Sequence, residues 1–111
     1  MRQWNVNPQL LCRKHLLGEH VEHHMFVGSI KKGFSVEGYL RGGFLEPRTL
    51  QPRHTELARE MKRRGYNHQS PLPEVDTSHL RGGNINIKGN IEDLRSRCVE
   101  CSQRISRYET R

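Results

Sequence analysis

The sequence predicts a small all-α domain of about three main helices joined by long connecting loops. Residues 10–30 and 54–64 contain no Pro and set apolar residues at helical spacing. Start and stop residues bracket both segments. The only alternating stretch, Asn84-Ile-Asn-Ile-Lys88, is one strand candidate without a partner, which is weak evidence for a sheet. A chain of 111 residues supports a single domain over 1–111, burying at most roughly two thirds of its unfolded surface. With 32% hydrophobic residues and 10 Gly, its core must be modest.

The first helix is expected to start at Asn7-Pro8, where Asn caps and Pro is tolerated at the first helical position. It runs to about Lys32 and stops at Gly33, with Lys31 and Lys32 suiting the negative end of the helix dipole. At about 100° per residue, His15, Glu19 and Glu22 fall within roughly 60° of one another. Leu10, Leu17, Val21 and Met25 form an apolar stripe on another face, and Leu16 and Val27 lie on a third. An ionisable strip between two apolar faces suits a helix that runs through a domain and lines a cleft.

A short helix over Ser35–Arg41 follows, capped by Ser35 and ended by Gly42-Gly43. After a connection carrying Pro47 and Pro52, His54 to Arg64 is a strong helix ended by Gly65, with Leu57 and Met61 facing the core. Residues 67–90 read mostly as loop. A last helix starts at the cap Asn90 and runs to about Arg107, with Cys98 and Cys101 on one face of it.

Net charge is +7 with a pI near 9.8, which favours a polyanion partner, nucleic acid being the commonest. Arg13, Lys14, Lys31, Lys32, Arg41, Arg59, Lys62, Arg63 and Arg64 can bind phosphate without reading sequence. No apolar run approaches the roughly 20 residues that span a bilayer, so no membrane partner is expected. The first residues contain no apolar signal core, and three Cys are an odd number for a secreted disulfide framework. The cytoplasm of a bacterial or phage-infected cell is the expected compartment, and a monomer the expected state.

Several constellations could carry chemistry. The strip His15, Glu19, Glu22 sets an imidazole and two carboxylates one turn apart, within reach of one substrate atom; the same pattern also suits a solvated face. His20 and His24 have metal-chelating spacing but lack the Glu that follows the first His of a zincin. Cys98-Val-Glu-Cys101 supplies two zinc ligands, and Cys12 and His15 have the spacing to supply two more. In a continuous helix the two Cys read more simply as packing residues, and no metal is assigned. The α-amine, with a pKa near 7.7–8.0, is partly neutral at physiological pH and can act as a nucleophile. A large residue such as Arg2 usually prevents removal of Met1, so the amine would belong to Met1 and could lie over the His15/Glu22 strip.

Two blocks resemble the phage-type pyrimidine-dimer DNA glycosylases with abasic-site lyase activity. One is Leu11-Cys-Arg-Lys-His-Leu-Leu-Gly-Glu-His-Val-Glu22 followed by Phe26-Val-Gly28. The other is His54 to Arg64 with Gly65-Tyr66-Asn67. With the Met-Arg-x-Trp start they span about residues 1–70, leaving 71–111, a loop plus C-terminal helix, uncovered. The resemblance implies a mainly helical repair enzyme acting on UV-damaged or abasic double-stranded DNA, with no cofactor and no metal. It implies that the Met1 amine attacks the deoxyribose C1′ and forms a Schiff base. Glu22 would stabilise the cation and move the proton for β-elimination, with Arg2 and His15 near the nucleophile and the DNA. Arg13, Lys14, Lys31, Lys32 and Arg63 complete the expected DNA-binding set. Family members often carry arginines where this chain has Val21 and Met25, so lesion preference is open. The competing reading is a small basic DNA-binding or phage structural protein without catalysis, with zinc on Cys12, His15, Cys98 and Cys101 as an optional staple.

Overall fold

The computed structural model describes residues 1–67 and 70–110. Its α-helices are α1 (Arg13–Lys31), α2 (Glu37–Arg41), α3 (Leu50–Arg63), α4 (Ile87–Arg97) and α5 (Val99–Glu109), with 3-10 turns at Pro8–Leu10 and Pro47–Thr49. The all-α expectation holds, and no strand occurs among the described residues.

Four boundaries differ from the sequence reading. Asn7 caps the separate Pro8–Leu10 turn, accepting from the Gln9 amide. The chain then extends through Leu11 and Cys12 before α1 begins. This break lets Leu10, Leu11 and Cys12 all enter the core. It exposes carbonyls that Arg64 satisfies, donating to Pro8 (3.0 Å) and Leu11 (2.8 Å). The Pro47/Pro52 connection is helical rather than irregular, because Pro52 lies in the first turn of α3, where its missing N–H has no intrahelical partner to lose. Residues 84–88 form no strand: Asn86 caps α4 by accepting from the Gly89 amide at 2.9 Å. The expected last helix is two, divided at Cys98, whose φ of −129° and ψ of 113° are extended. Asn90 is therefore no cap but a buried residue within α4.

The short helix ends at Arg41 as expected, but its N-cap is Val36 rather than Ser35, whose Oγ accepts from the Glu37 amide at 3.3 Å just before the helix. The expected stripe on α1 is corrected: Val21 and Met25 are 55% and 50% exposed. The face that α1 buries is instead Leu16, Glu19, His20, His23, Phe26, Val27 and Ile30.

That face serves two apolar clusters. Leu16 joins Trp4, Val6, Leu10, Leu11, Leu57, Met61, Leu94, Cys101 and Ile105. Phe26, Val27 and Ile30 join Val36, Leu40, Leu45, Leu50 and Leu72. Because Leu16 meets the late part of α3 and Ile30 its start, the two helices pack antiparallel. Between the clusters lies a buried polar layer of Glu19, His20 and His23 from α1 and Arg53 and His54 from α3. The C-terminal helices are not an appendage, since Leu94, Cys101 and Ile105 close the first cluster beneath Trp4.

Candidate active site

The N-terminal segment crosses α1 at its polar face. Gln3, fully buried, anchors it. The Gln3 amide donates to the Phe44 carbonyl (2.7 Å), and Gln3 Oε1 accepts from the Glu46 amide (2.6 Å). Gln3 Nε2 faces Thr49 Oγ1 at 3.3 Å and His23 Nε2 at 3.1 Å. An amide NH₂ only donates, so His23 Nε2 must accept. His23 then carries its proton on Nδ1, which donates to the Glu19 carbonyl at 2.8 Å. Burial, the largest influence, lowers the His23 pKa from its ordinary value, in the direction this network requires.

The same layer consumes Glu19. Arg53 donates to it through two parallel bonds, Nε to Oε2 at 2.7 Å and Nη2 to Oε1 at 2.9 Å, and through Nη1 to the Val6 carbonyl. Both side chains are almost fully buried. Of the three ionisable residues on the strip, Glu19 is thus a structural partner.

Glu22 remains half-exposed and meets the chain terminus. Its Oε1 lies 4.0 Å from the Met1 nitrogen, and its Oε2 lies 3.4 Å from the Arg2 amide. An open cleft of about 270 Å³ lies alongside, lined by Arg2, Trp4, Lys14, His15, Gly18, Glu19 and Glu22. The expected cleft along α1 is therefore present, with its floor formed by the N-terminal segment.

Arg2 is held from three sides. Its guanidinium stacks 3.7 Å from the centre of the Trp4 ring, donates to Asn90 Oδ1 at 2.6 Å, and lies 3.7 Å from Asp93. Asn90 Nδ2 in turn donates to the Trp4 carbonyl at 2.8 Å. Residues beyond 70, to which the sequence reading gave no part in the site, thus hold the arm that carries Met1.

The other expected DNA contacts are spread out. Lys14 is exposed on the cleft wall, and Arg13 is exposed one residue away, 4.9 Å from the Tyr66 ring. Lys31 and Lys32 are exposed at the far end of α1, about 25 Å along the axis from Lys14 at the usual rise per residue. Arg63 is engaged by Glu60 and lines a different surface with Arg104 and Arg107. His15 sits at the cleft edge, its ring 5.7 Å from that of Trp4. Burial and then Lys14 lower its pKa, against an opposing influence from Glu22.

The far side of His15 faces the cysteines. Its Nδ1 is 3.2 Å from Cys12 Sγ and 3.5 Å from Cys101 Sγ, and Cys12 Sγ is 3.8 Å from Cys98 Sγ. The expected continuous helix is corrected by the break at Cys98, while Cys101 does pack in the first apolar cluster with Cys98 against it. Burial raises the Cys101 thiol to about 12. At Cys98 burial acts in the same direction but hydrogen bonds from Cys101 and Cys12 outweigh it, leaving that thiol below its ordinary value.

Gln3, Arg53 and Asn90 escaped sequence reasoning. Only Asn90 carries a signal in the sequence, and that signal is the one a helix cap gives.

A family model described as pyrimidine dimer DNA glycosylase matches residues 1–74, two thirds of the 111-residue chain. No curated protein matches the chain, and no solved structure does.

Proposed function

We propose that this chain, which belongs to the pyrimidine dimer DNA glycosylase family, excises damaged pyrimidines and then cuts the abasic strand through an imine on its own N-terminus. The family makes DNA the substrate. The observation that carries the finer reading is the pairing of the Met1 nitrogen with the Glu22 carboxylate, 4.0 Å apart beside an open cleft.

In this reading the neutral Met1 amine attacks C1′ of the damaged nucleotide. The new C1′–N bond forms as the glycosidic bond breaks, and the departing base takes up a proton. One amine proton passes to the ring oxygen O4′ as the C1′–O4′ bond breaks, which opens the sugar and gives a protonated imine. The Glu22 carboxylate faces that cation and stabilises it. It then supports removal of a proton from C2′, whose electrons expel the 3′ phosphate. Water hydrolyses the imine and frees Met1. Lys14 on the cleft wall and the adjacent Arg13 contribute phosphate contacts that position the strand without reading its sequence.

Borohydride trapping tests this. Purified chain with a free Met1 is mixed with UV-irradiated and abasic duplexes, and any imine is reduced to a permanent link. The expected result is a trapped species on both DNAs that disappears when the amine is blocked. Glu22→Gln should slow strand cutting roughly 10²–10⁴-fold, the usual worth of a positioned acid–base group. Trapping on abasic DNA alone would restrict the activity to the lyase step. No trapping on either DNA would overturn the imine mechanism.

A further inference from the structure

The proposed chemistry does not use the thiols gathered around His15. Cys12, His15, Cys98 and Cys101 place all four potential ligand atoms within 4.8 Å of one another. A tetrahedral zinc ion with Zn–S near 2.3 Å and Zn–N near 2.0 Å separates its sulfurs by about 3.8 Å and its sulfur–nitrogen pairs by about 3.5 Å. The Cys12–Cys98 sulfurs are 3.8 Å apart, and the two sulfur–nitrogen distances to His15 are 3.2 and 3.5 Å. A disulfide would need the sulfurs at about 2.05 Å.

The backbone supports the same arrangement. Cys12 and Cys98 are the N-caps of α1 and α5, and His15 and Cys101 lie three residues inside each helix. Both positive dipole ends therefore lie beside the sulfurs, and the start of α5 also aims its free Cys101 amide at Cys98 Sγ. Two amides already donate to sulfur, Cys12 to Cys101 Sγ at 3.2 Å and Cys101 to Cys98 Sγ at 3.4 Å. Such N–H···S bonds are the outer-shell support that zinc-bound thiolates use.

We propose that these four residues bind one zinc ion, fastening the start of α1 to the start of α5. Binding releases the three thiol protons to solvent and uses His15 through neutral Nδ1. Four protein ligands leave no open position, so the ion is structural and activates no water. It ties the C-terminal helix pair, which lies outside the family match, to the helix that carries Glu22. His20, His24 and His54 form a second close group, but it offers three imidazoles and no thiolate.

The test measures metal rather than DNA cleavage, so its failure is separate from failure of the imine mechanism. The full chain is produced in zinc-supplemented medium, and its metal content is determined by mass spectrometry. Zinc is then exchanged for cobalt. The expected results are one zinc per chain, cobalt–thiolate charge-transfer bands, and the visible bands of a tetrahedral site. Cys98→Ser and Cys101→Ser should each lose the metal. Where those variants fail to fold, His15→Cys retains four donors and should still bind cobalt with an altered visible spectrum. Sub-stoichiometric zinc with no cobalt bands would overturn the site. So would metal that persists in the Cys98→Ser/Cys101→Ser double variant, which would put it on the histidine group.

Discussion

Arg53→Met is the sharpest test of how the buried layer holds the site. The substitution keeps an unbranched side chain of similar length but removes both bonds to Glu19 and the bond to the Val6 carbonyl. Glu19 is then left buried and unpaired at 1% exposure. Breaking one side of a buried pair costs roughly 3–5 kcal/mol, because the remaining charge is neither solvated nor matched. A small domain has only about 5–15 kcal/mol in hand. At roughly 4 °C per kcal/mol, the expected fall in Tm is about 12–20 °C. Glu19→Leu combined with Arg53→Met removes both charges and should recover most of that loss. About 1 kcal/mol should remain for the Val6 carbonyl left without its donor. Urea unfolding of the wild type, both single variants and the double variant measures the coupling directly. An Arg53→Met cost below about 1 kcal/mol, or a double variant as unstable as the sum of the singles, would refute the reasoning.

Three further outcomes are expected. His23 has a folded pKa below its unfolded value, so the unfolded chain binds more protons as pH drops through the ordinary histidine range. Stability should therefore fall on acidification from pH 7 toward pH 5, as protonation turns the acceptor facing Gln3 into a donor. Urea midpoints that stay flat across that range would show that His23 does not hold the anchor. Gly82 and Gly83 have nearly the same φ, +84° and +83°, so alanine at either position should cost about 1–2 kcal/mol in backbone strain. A Cβ at Gly83 would also lie 2.4 Å from the Leu45 carbonyl oxygen, whereas one at Gly82 meets nothing within 4 Å. Gly83→Ala should thus be the more destabilising in parallel melts, and equal losses would disprove the close approach. Asn90→Ala removes the hydrogen bonds to Arg2 and to the Trp4 carbonyl. It should cost about 1–3 kcal/mol and reduce imine trapping on abasic DNA under conditions where the variant is folded; undiminished trapping would free the Met1 arm from any dependence on α4.

The sequence by itself determined the helical class, the long first helix through His15 and Glu22, and the helix ending at Gly65. These rest on local rules: periodicity, capping residues and chain-breaking glycines act within a few positions of one another. It also brought Met1, Arg2, His15 and Glu22 together as one candidate site, through helical spacing and family likeness. Only the tertiary structure decided how the polar residues divide their work. Glu19 and Glu22 are three residues apart on one face, yet one is spent on Arg53 and the other faces the Met1 nitrogen. The partner that makes the difference lies 34 residues away. Arg2 is locked by Asn90 across 88 residues. Spacing along a chain carries no information about such pairs, because closing loops of that length is driven by burial of Trp4, Leu94 and Ile105 in one core. The helix break at Cys98 has the same origin. No Gly or Pro marks it, and it forms where an extended residue lets α4 and α5 both cover the core while their cysteines turn toward His15.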